Sequence, residues 1–223
     1  MIPTYGWFGL LVAATILGCN GDGGRRAAAE APPRPATERG RVVFLGTSLT
    51  AGLGVDPEQA YPALIQAKLD SARLPFEAVN AGVSGETSAG ALRRVDWVLQ
   101  QPVSVLVIET GANDGLRGLD PDSMRANIQA IIDLANRQSP RPKIVLAGMR
   151  ALPNYGLGYA RRFSSVYKEL AEKNDLPLVP FLLEDVAGLG AMNQADMMHP
   201  NPAGHRVIAE TVWKVLEPEL EER

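Results

Sequence analysis

Ser48, Asn113, Asp196 and His199 are the side chains whose types and settings suit them to a reaction. Ser48 follows the apolar run Val42-Val43-Phe44-Leu45 through Gly46 and Thr47, so a buried segment opens abruptly into small hydroxylated residues. His199 stands three residues after Asp196 in Asp-Met-Met-His-Pro-Asn, and the chain holds one other histidine, His205. Acyl transfer needs a hydroxyl nucleophile, an imidazole base, a carboxylate to orient that base, and donors for the oxyanion. The loops Asn80-Ala81-Gly82-Val83-Ser84-Gly85 and Gly111-Ala112-Asn113-Asp114-Gly115 offer such donors. Taken singly, each group has an ordinary explanation. Ser48 suits a turn, Gly82 and Gly85 suit turn geometry, Asn113 can cap a turn with its own side chain, and Asp196 and His199 suit a solvated loop. Only a fold that gathers the four segments would make them one site.

The pattern from Arg41 onward predicts such a fold. Short apolar runs at 42–45, 76–80, 103–109, 143–149 and 176–181 read as strands, the third apolar nearly throughout, as a strand covered on both faces should be. Between them lie helical patterns. Asp56-Pro57, Asp120-Pro121 and Asn201-Pro202 each set a capping residue before a proline at the first helical position. Met124, Ile128, Ile131 and Ala135 follow helical spacing, as do Tyr159, Phe163, Val166 and Leu170, and as do Val207, Ile208, Thr211, Val212 and Val215. Five strand–helix repeats imply an α/β fold, a five-stranded parallel sheet between two helical layers. In such sheets ligands bind beyond the carboxyl ends of the strands. That rim is where Ser48, Gly82, Asn113 and the Asp196–His199 pair all fall.

The α/β-hydrolase elbow G-x-S-x-G is absent, because Gly46-Thr47-Ser48-Leu49 continues with Thr50. The chain instead resembles the SGNH or GDSL hydrolases, most closely their lysophospholipase L1, arylesterase and acyl-thioesterase I branch. The blocks that carry the resemblance are GTSL (46–49), AGVSGET (81–87), GAND (111–114) and DMMHPN (196–201), in order across residues 41–217. The resemblance implies a flavodoxin-like α/β/α sandwich with no metal or organic cofactor. It implies Ser48 as nucleophile, His199 as base and then acid, and Asp196 as its orienter, with Ser48, Gly82 and Asn113 forming the oxyanion hole. GANDGLRG (111–118) and LPNYG (152–156) look like that branch's groove loops; Leu116, Arg117, Tyr155 and Leu157 are the expected lining residues, with Arg117 and Arg150 as head-group contacts, although Arg150 suits equally well a surface charge after the fourth strand. His205 is expected to be structural. One position departs: Thr47 stands where the family block has aspartate, which removes a fixed charge beside the nucleophile and puts the rigidity of its loop in question.

The wider sequence restricts the partners. With 223 residues, 46% of them hydrophobic, the chain can bury a substantial core, and a net charge of −3 without a basic cluster gives nucleic acid no footing. Residues 5–17 form an apolar run that is short for a membrane span and suits a secretory signal. Ile16-Leu17-Gly18-Cys19 resembles a lipobox, although no Lys or Arg precedes the apolar run. Signal 1–19, lipid-modified Cys19, a Gly/Ala/Pro-rich tether over 20–40 and a hydrolase domain over 41–223 are the expected organisation. The protein would then be secreted across a bacterial inner membrane and held in the envelope by its lipid. The expected substrate is a small acyl ester or lysophospholipid, with acetyl groups on envelope polysaccharide as the runner-up. Two other classes compete: an FMN-binding flavodoxin-like domain, which leaves Asn113 and Asp196–His199 without a task, and a non-catalytic lipoprotein that binds acylated ligands. A P-loop is excluded, since no G-x-x-x-x-G-K-[ST] occurs.

Overall fold

The structure is a computed structural model that describes residues 39–221. The expected signal, Cys19 and almost all of the tether lie outside those residues. Five strands, β1 (Gly40–Gly46), β2 (Phe76–Gly82), β3 (Val105–Ile108), β4 (Lys143–Ala147) and β5 (Leu178–Val179), pair in the order β2-β1-β3-β4-β5. Every pairing is parallel, with Val42–Leu45 of β1 in register with Val105–Ile108 of β3. The helices are α1 (Ser48–Ala51), α2 (Tyr61–Ser71), α3 (Ser88–Val98), α4 (Ala112–Leu116), α5 (Pro121–Asn136), α6 (Leu157–Asn174) and α7 (Pro202–Glu221). α2 packs with α7, whereas α3 packs with α5 and α5 with α6, giving a helical layer on each face. The central strands are apolar throughout because both of their faces are covered: Val43, Phe44, Leu45 and all of β3 are buried.

The order carries the functional consequence. From β1 the chain moves outward to β2, then returns across β1 to β3. Connections on the two sides of β1 leave over opposite faces, and a crevice opens at the carboxyl ends of β1 and β3. Ser48 follows β1 and Asn113 follows β3, so they flank that crevice.

Three elements differ from expectation. β5 is two residues, not the six of 176–181, because Pro177 and Pro180 bound it and proline brings no N–H to a ladder. Asp56-Pro57 opens a single 3₁₀ turn, Pro57–Gln59, and α2 itself starts at Tyr61. On α7 the buried line runs through His205, Ile208, Ala209, Val212, Leu216 and Leu220, while Val207, Thr211 and Val215 are only half-buried at its flanks. Asp120 does cap α5, accepting from the Ser123 N–H at 3.1 Å, and Asn201 Oδ1 accepts from Ala203 N and Gly204 N at 2.9 and 3.1 Å at the start of α7.

Candidate active site

β1 delivers its last side chains to the rim, and the chain turns at once into α1 with Ser48 as its first residue. Directly beneath this turn lies Glu109, fully buried at the end of β3. Its carboxylate accepts from Thr47 N at 2.7 Å, from Thr47 Oγ1 at 3.0 and 3.1 Å and from Thr50 Oγ1 at 2.8 Å. Thr50 Oγ1 is also 2.7 Å from Tyr61 Oη. Burial pushes the Glu109 carboxyl up to about 7, against the pull of the donors on Thr47 and Thr50. Gly46 is required by this closeness, since a Cβ there would overlap Thr50 and come within 2.6 Å of Glu109 Oε2. Thr47, whose lack of charge put the rigidity of this loop in question, is thus tied to a buried acid through both its N–H and its hydroxyl. A carboxylate grips the turn, but from the neighbouring strand.

His199 comes from the loop before α7. Its Nε2 lies 3.1 Å from Ser48 Oγ, and its Nδ1 lies 2.6 Å from Asp196 Oδ2. Asp196 Oδ1 accepts from the Met198 and His199 backbone N–H groups, both at 2.9 Å, closing a tight turn with Met197 in the left-handed region at φ 57°. These bonds hold the Asp196 carboxyl well below the usual carboxylate range, the His199 side chain contributing most. An ionised Asp196 accepts a hydrogen bond from Nδ1–H and so keeps the ring proton there, which leaves Nε2 as an acceptor toward the serine. Amides lock the loop in place. Gln194 Nε2 donates to Leu53 O at 2.7 Å and Pro200 O at 2.9 Å, joining the chain after α1 to the histidine loop, and Asn201 Nδ2 donates to Ala191 O at 3.0 Å.

The oxyanion candidates meet at the same rim. Asn113 Nδ2 donates to Glu86 O at 2.9 Å, which fixes the amide plane and leaves its second hydrogen for another acceptor. Arg94, on α3, carries this loop: it binds the Glu86 carboxylate through Nε and Nη2 at 2.7–2.9 Å and donates from Nη2 to Ala81 O at 2.8 Å and Gly46 O at 3.3 Å. The Gly82 N–H is engaged, donating to Asn80 Oδ1 at 2.9 Å, so its use as an oxyanion donor requires release from Asn80. Glycine is needed at 82 for a separate reason: a Cβ would overlap the backbone of Ala51.

A search of known families matches residues 44–207 to the GDSL-like lipase/acylhydrolase family. The chain belongs to this family. It is accordingly a hydrolase of carboxylic esters. The acylhydrolase is 39% identical over 180 residues to "Esterase TesA" of Pseudomonas aeruginosa, covering 80% of this chain and 89% of that one. It is 37% identical to "Thioesterase 1/protease 1/lysophospholipase L1" of Escherichia coli K12, covering 79% and 83% respectively. Among solved structures it superposes with a TM-score of 0.76 on the psychrotrophic esterase EstA of Pseudoalteromonas sp. inhibited by monoethylphosphonate, at 33% identity, covering 82% of this chain and 99% of that one.

The remaining expected residues of the acylhydrolase fall in two groups. Leu116, Tyr155 and Leu157 are exposed on the rim, with Tyr155 Oη donating to Leu116 O at 3.3 Å, and Arg117 Nη2 donates to Gly85 O at 2.8 Å. Arg150 is turned elsewhere, stacked 4.2 Å over the Phe181 ring and 3.4 Å from Glu184, so the structure does not group it with Arg117. His205 is buried; its Nδ1 accepts from Tyr61 N at 3.3 Å, and desolvation lowers it to about 4, leaving it neutral beside the sheet. Glu109, Arg94 and Gln194 were missed by sequence reasoning. Glu109 had a signal, a single acid ending an otherwise apolar strand; Arg94 and Gln194 had none, being ordinary members of a helix and a loop. No group of three His, Cys, Asp or Glu suited to a metal ion occurs among the described residues, and no helix among them is long and apolar enough to cross a membrane.

Proposed function

We propose that the acylhydrolase is a serine esterase working through Ser48, His199 and Asp196. Ser48 Oγ attacks the acyl carbonyl as its proton passes to His199 Nε2, and Asp196 holds the imidazolium that forms. The oxyanion is met by the Ser48 N–H, the free hydrogen of Asn113 Nδ2, and the Gly82 N–H once it leaves Asn80. Collapse breaks the ester C–O bond, the leaving alkoxide takes the proton from Nε2, and Ser48 is left acylated. Water then repeats the sequence, releasing the acid and restoring the serine. The observation that carries this reading is the continuous chain from Asp196 Oδ2 through the imidazole to Ser48 Oγ, at 2.6 and 3.1 Å, beside Asn113 at the mouth of the crevice.

The substrate class is read from the rim. Large apolar side chains are exposed on the segments that follow strand ends or carry the histidine: Leu53, Val83, Leu116, Tyr155, Met197 and Met198. Such a surface suits an acyl chain of several carbons, in keeping with relatives named thioesterase and lysophospholipase. The lipobox-like Ile16–Cys19 adds a lipid anchor in a bacterial envelope to the proposal, which would put the enzyme beside acylated lipids. Hydrolysis of p-nitrophenyl esters from acetyl to dodecanoyl by the wild type and Ser48→Ala tests both parts. Turnover peaking at six carbons or beyond and lost in the variant is expected. An acetyl optimum would overturn the substrate class, and activity surviving in Ser48→Ala would overturn the mechanism.

A further inference from the structure

We propose that Glu109 is the positioning residue of the nucleophile, and that its ionised form holds Ser48 for attack. The inference rests on Ser48 being the nucleophile. A fully buried carboxylate with no part in the triad needs an explanation, because removing a carboxylate from water is costly unless its hydrogen bonds are replaced. Here the donors all belong to one turn. Thr47 N, Thr47 Oγ1 and Thr50 Oγ1 bracket Ser48 on both sides, and all three point at Glu109. The peptide carrying the Ser48 N–H is thus clamped at Thr47, as is the start of the short helix that aims Ser48 Oγ at His199.

The direction of each proton follows from the geometry. With Glu109 ionised, Thr47 and Thr50 both donate to it, and Thr50 Oγ1 accepts from Tyr61 Oη at 2.7 Å. Oε2 takes three donors and Oε1 only Thr47 Oγ1, so a proton arriving on Glu109 goes to Oε1. That proton makes the Thr47 hydroxyl an acceptor from Oε1, leaves it only the 3.1 Å bond to Oε2 to donate, and removes the charge, which loosens the grip on the residue before the nucleophile. Around the carboxylate stand Tyr61 from α2 and Tyr167 from α6, both phenols pushed up by burial and by the Glu109 charge. His205 lies behind Tyr61, its ring centre 6.5 Å away, and Arg94 from α3 reaches only Gly46 O while paired with Glu86. His199 stands on the far side of Ser48. The carboxyl's rise to about 7 places the exchange of forms in the range where the enzyme would be assayed.

Glu109→Gln imitates the protonated form at every pH, which makes the ratio of wild-type to variant kcat the decisive reading. Loss of a charge-assisted grip next to the reacting atom is expected to lower kcat about 10- to 100-fold at pH 8 with KM changed less than about threefold. The ratio should shrink toward unity as pH falls through about 7. Thr47→Val keeps the backbone donor and loses the hydroxyl; it should show a smaller kcat loss that Thr47→Ser restores, and it answers the question if Glu109→Gln fails to fold. A folded Glu109→Gln with wild-type kcat, or a ratio constant from pH 5.5 to 8.5, would overturn the proposal, as would a wild-type kcat in Thr47→Val. Ser48→Ala run alongside separates the two failures: an inactive Ser48→Ala with an unaffected Glu109→Gln refutes only the positioning role, whereas an active Ser48→Ala refutes the serine reading beneath it.

Discussion

Asp196→Asn isolates what the carboxylate does for the imidazole, because the structure dictates how an amide must sit there. Two backbone donors, Met198 N and His199 N, point at Oδ1 from 2.9 Å, so the asparagine oxygen has to take that position. Its NH2 group then replaces Oδ2, 2.6 Å from His199 Nδ1. A donor facing Nδ1 requires the ring proton to move to Nε2, where it meets Ser48 Oγ at 3.1 Å and cannot accept the serine proton. The turn keeps both backbone bonds, so the fold is untouched while the base is in the wrong tautomer. A loss of about 10⁴ in kcat is expected, with KM nearly unchanged, by analogy with the same exchange in Ser-His-Asp enzymes. The assay is kcat on p-nitrophenyl hexanoate, with the thermal midpoint followed in parallel. A folded Asp196→Asn that loses less than tenfold would refute the reasoning, for it would mean that Asp196 does not set the tautomer.

Further expectations concern oxyanion, core and buried acid. Asn113→Ala, which removes a donor whose plane is fixed by Glu86 O, should lower kcat about 10²–10³-fold, as steady-state kinetics would show. His205→Ala should reduce stability by about 2–4 kcal/mol, since it opens a space beside Tyr61 and strips the Tyr61 N–H of its acceptor; denaturant titration checks this, and kcat of the folded variant should stay within about twofold. Glu109 should also shape the pH dependence of stability. Its folded-state value of about 7 lies above the ordinary 4.5, so between those values the folded protein keeps a proton that the unfolded chain releases. Stability from this group is therefore greatest below pH about 4.5 and falls by about 3 kcal/mol as pH rises to about 7, then levels. Urea titrations at stepped pH should show that slope in the wild type and lose it in Glu109→Gln.

That Ser48 and Asn113 stand at one rim was legible in the sequence because ligand-binding loops follow strand ends, and the apolar runs of β1 and β3 mark those ends plainly, while the Asp196–His199 pair was marked by its own spacing just before the last helix. Local chemistry announced itself where it acts locally: Asp120 and Asn201 before prolines cap the helices they were expected to cap. What could not be read was set by partners distant in the chain. Thr47 looked like a lost charge because its carboxylate, Glu109, is 62 residues away and joins it only through the β1–β3 pairing. Arg94 is likewise one of several helix arginines until folding brings it under Gly46 and Ala81. The shortness of β5 follows from Pro177 and Pro180, a signal that was present but outweighed by the apolar run around it. Arg150 was placed by its neighbourhood in sequence, whereas the Phe181 ring and Glu184 draw it aside.

The most direct test of the central claim is stoichiometric labelling with diethyl p-nitrophenyl phosphate, which transfers its phosphoryl group to an activated serine and releases p-nitrophenol. The account predicts one equivalent of p-nitrophenol per chain, a single diethylphosphoryl adduct mapped by mass spectrometry to the peptide bearing Ser48, and no adduct in Ser48→Ala or His199→Ala. Labelling of another residue, or labelling undiminished in His199→Ala, would contradict it.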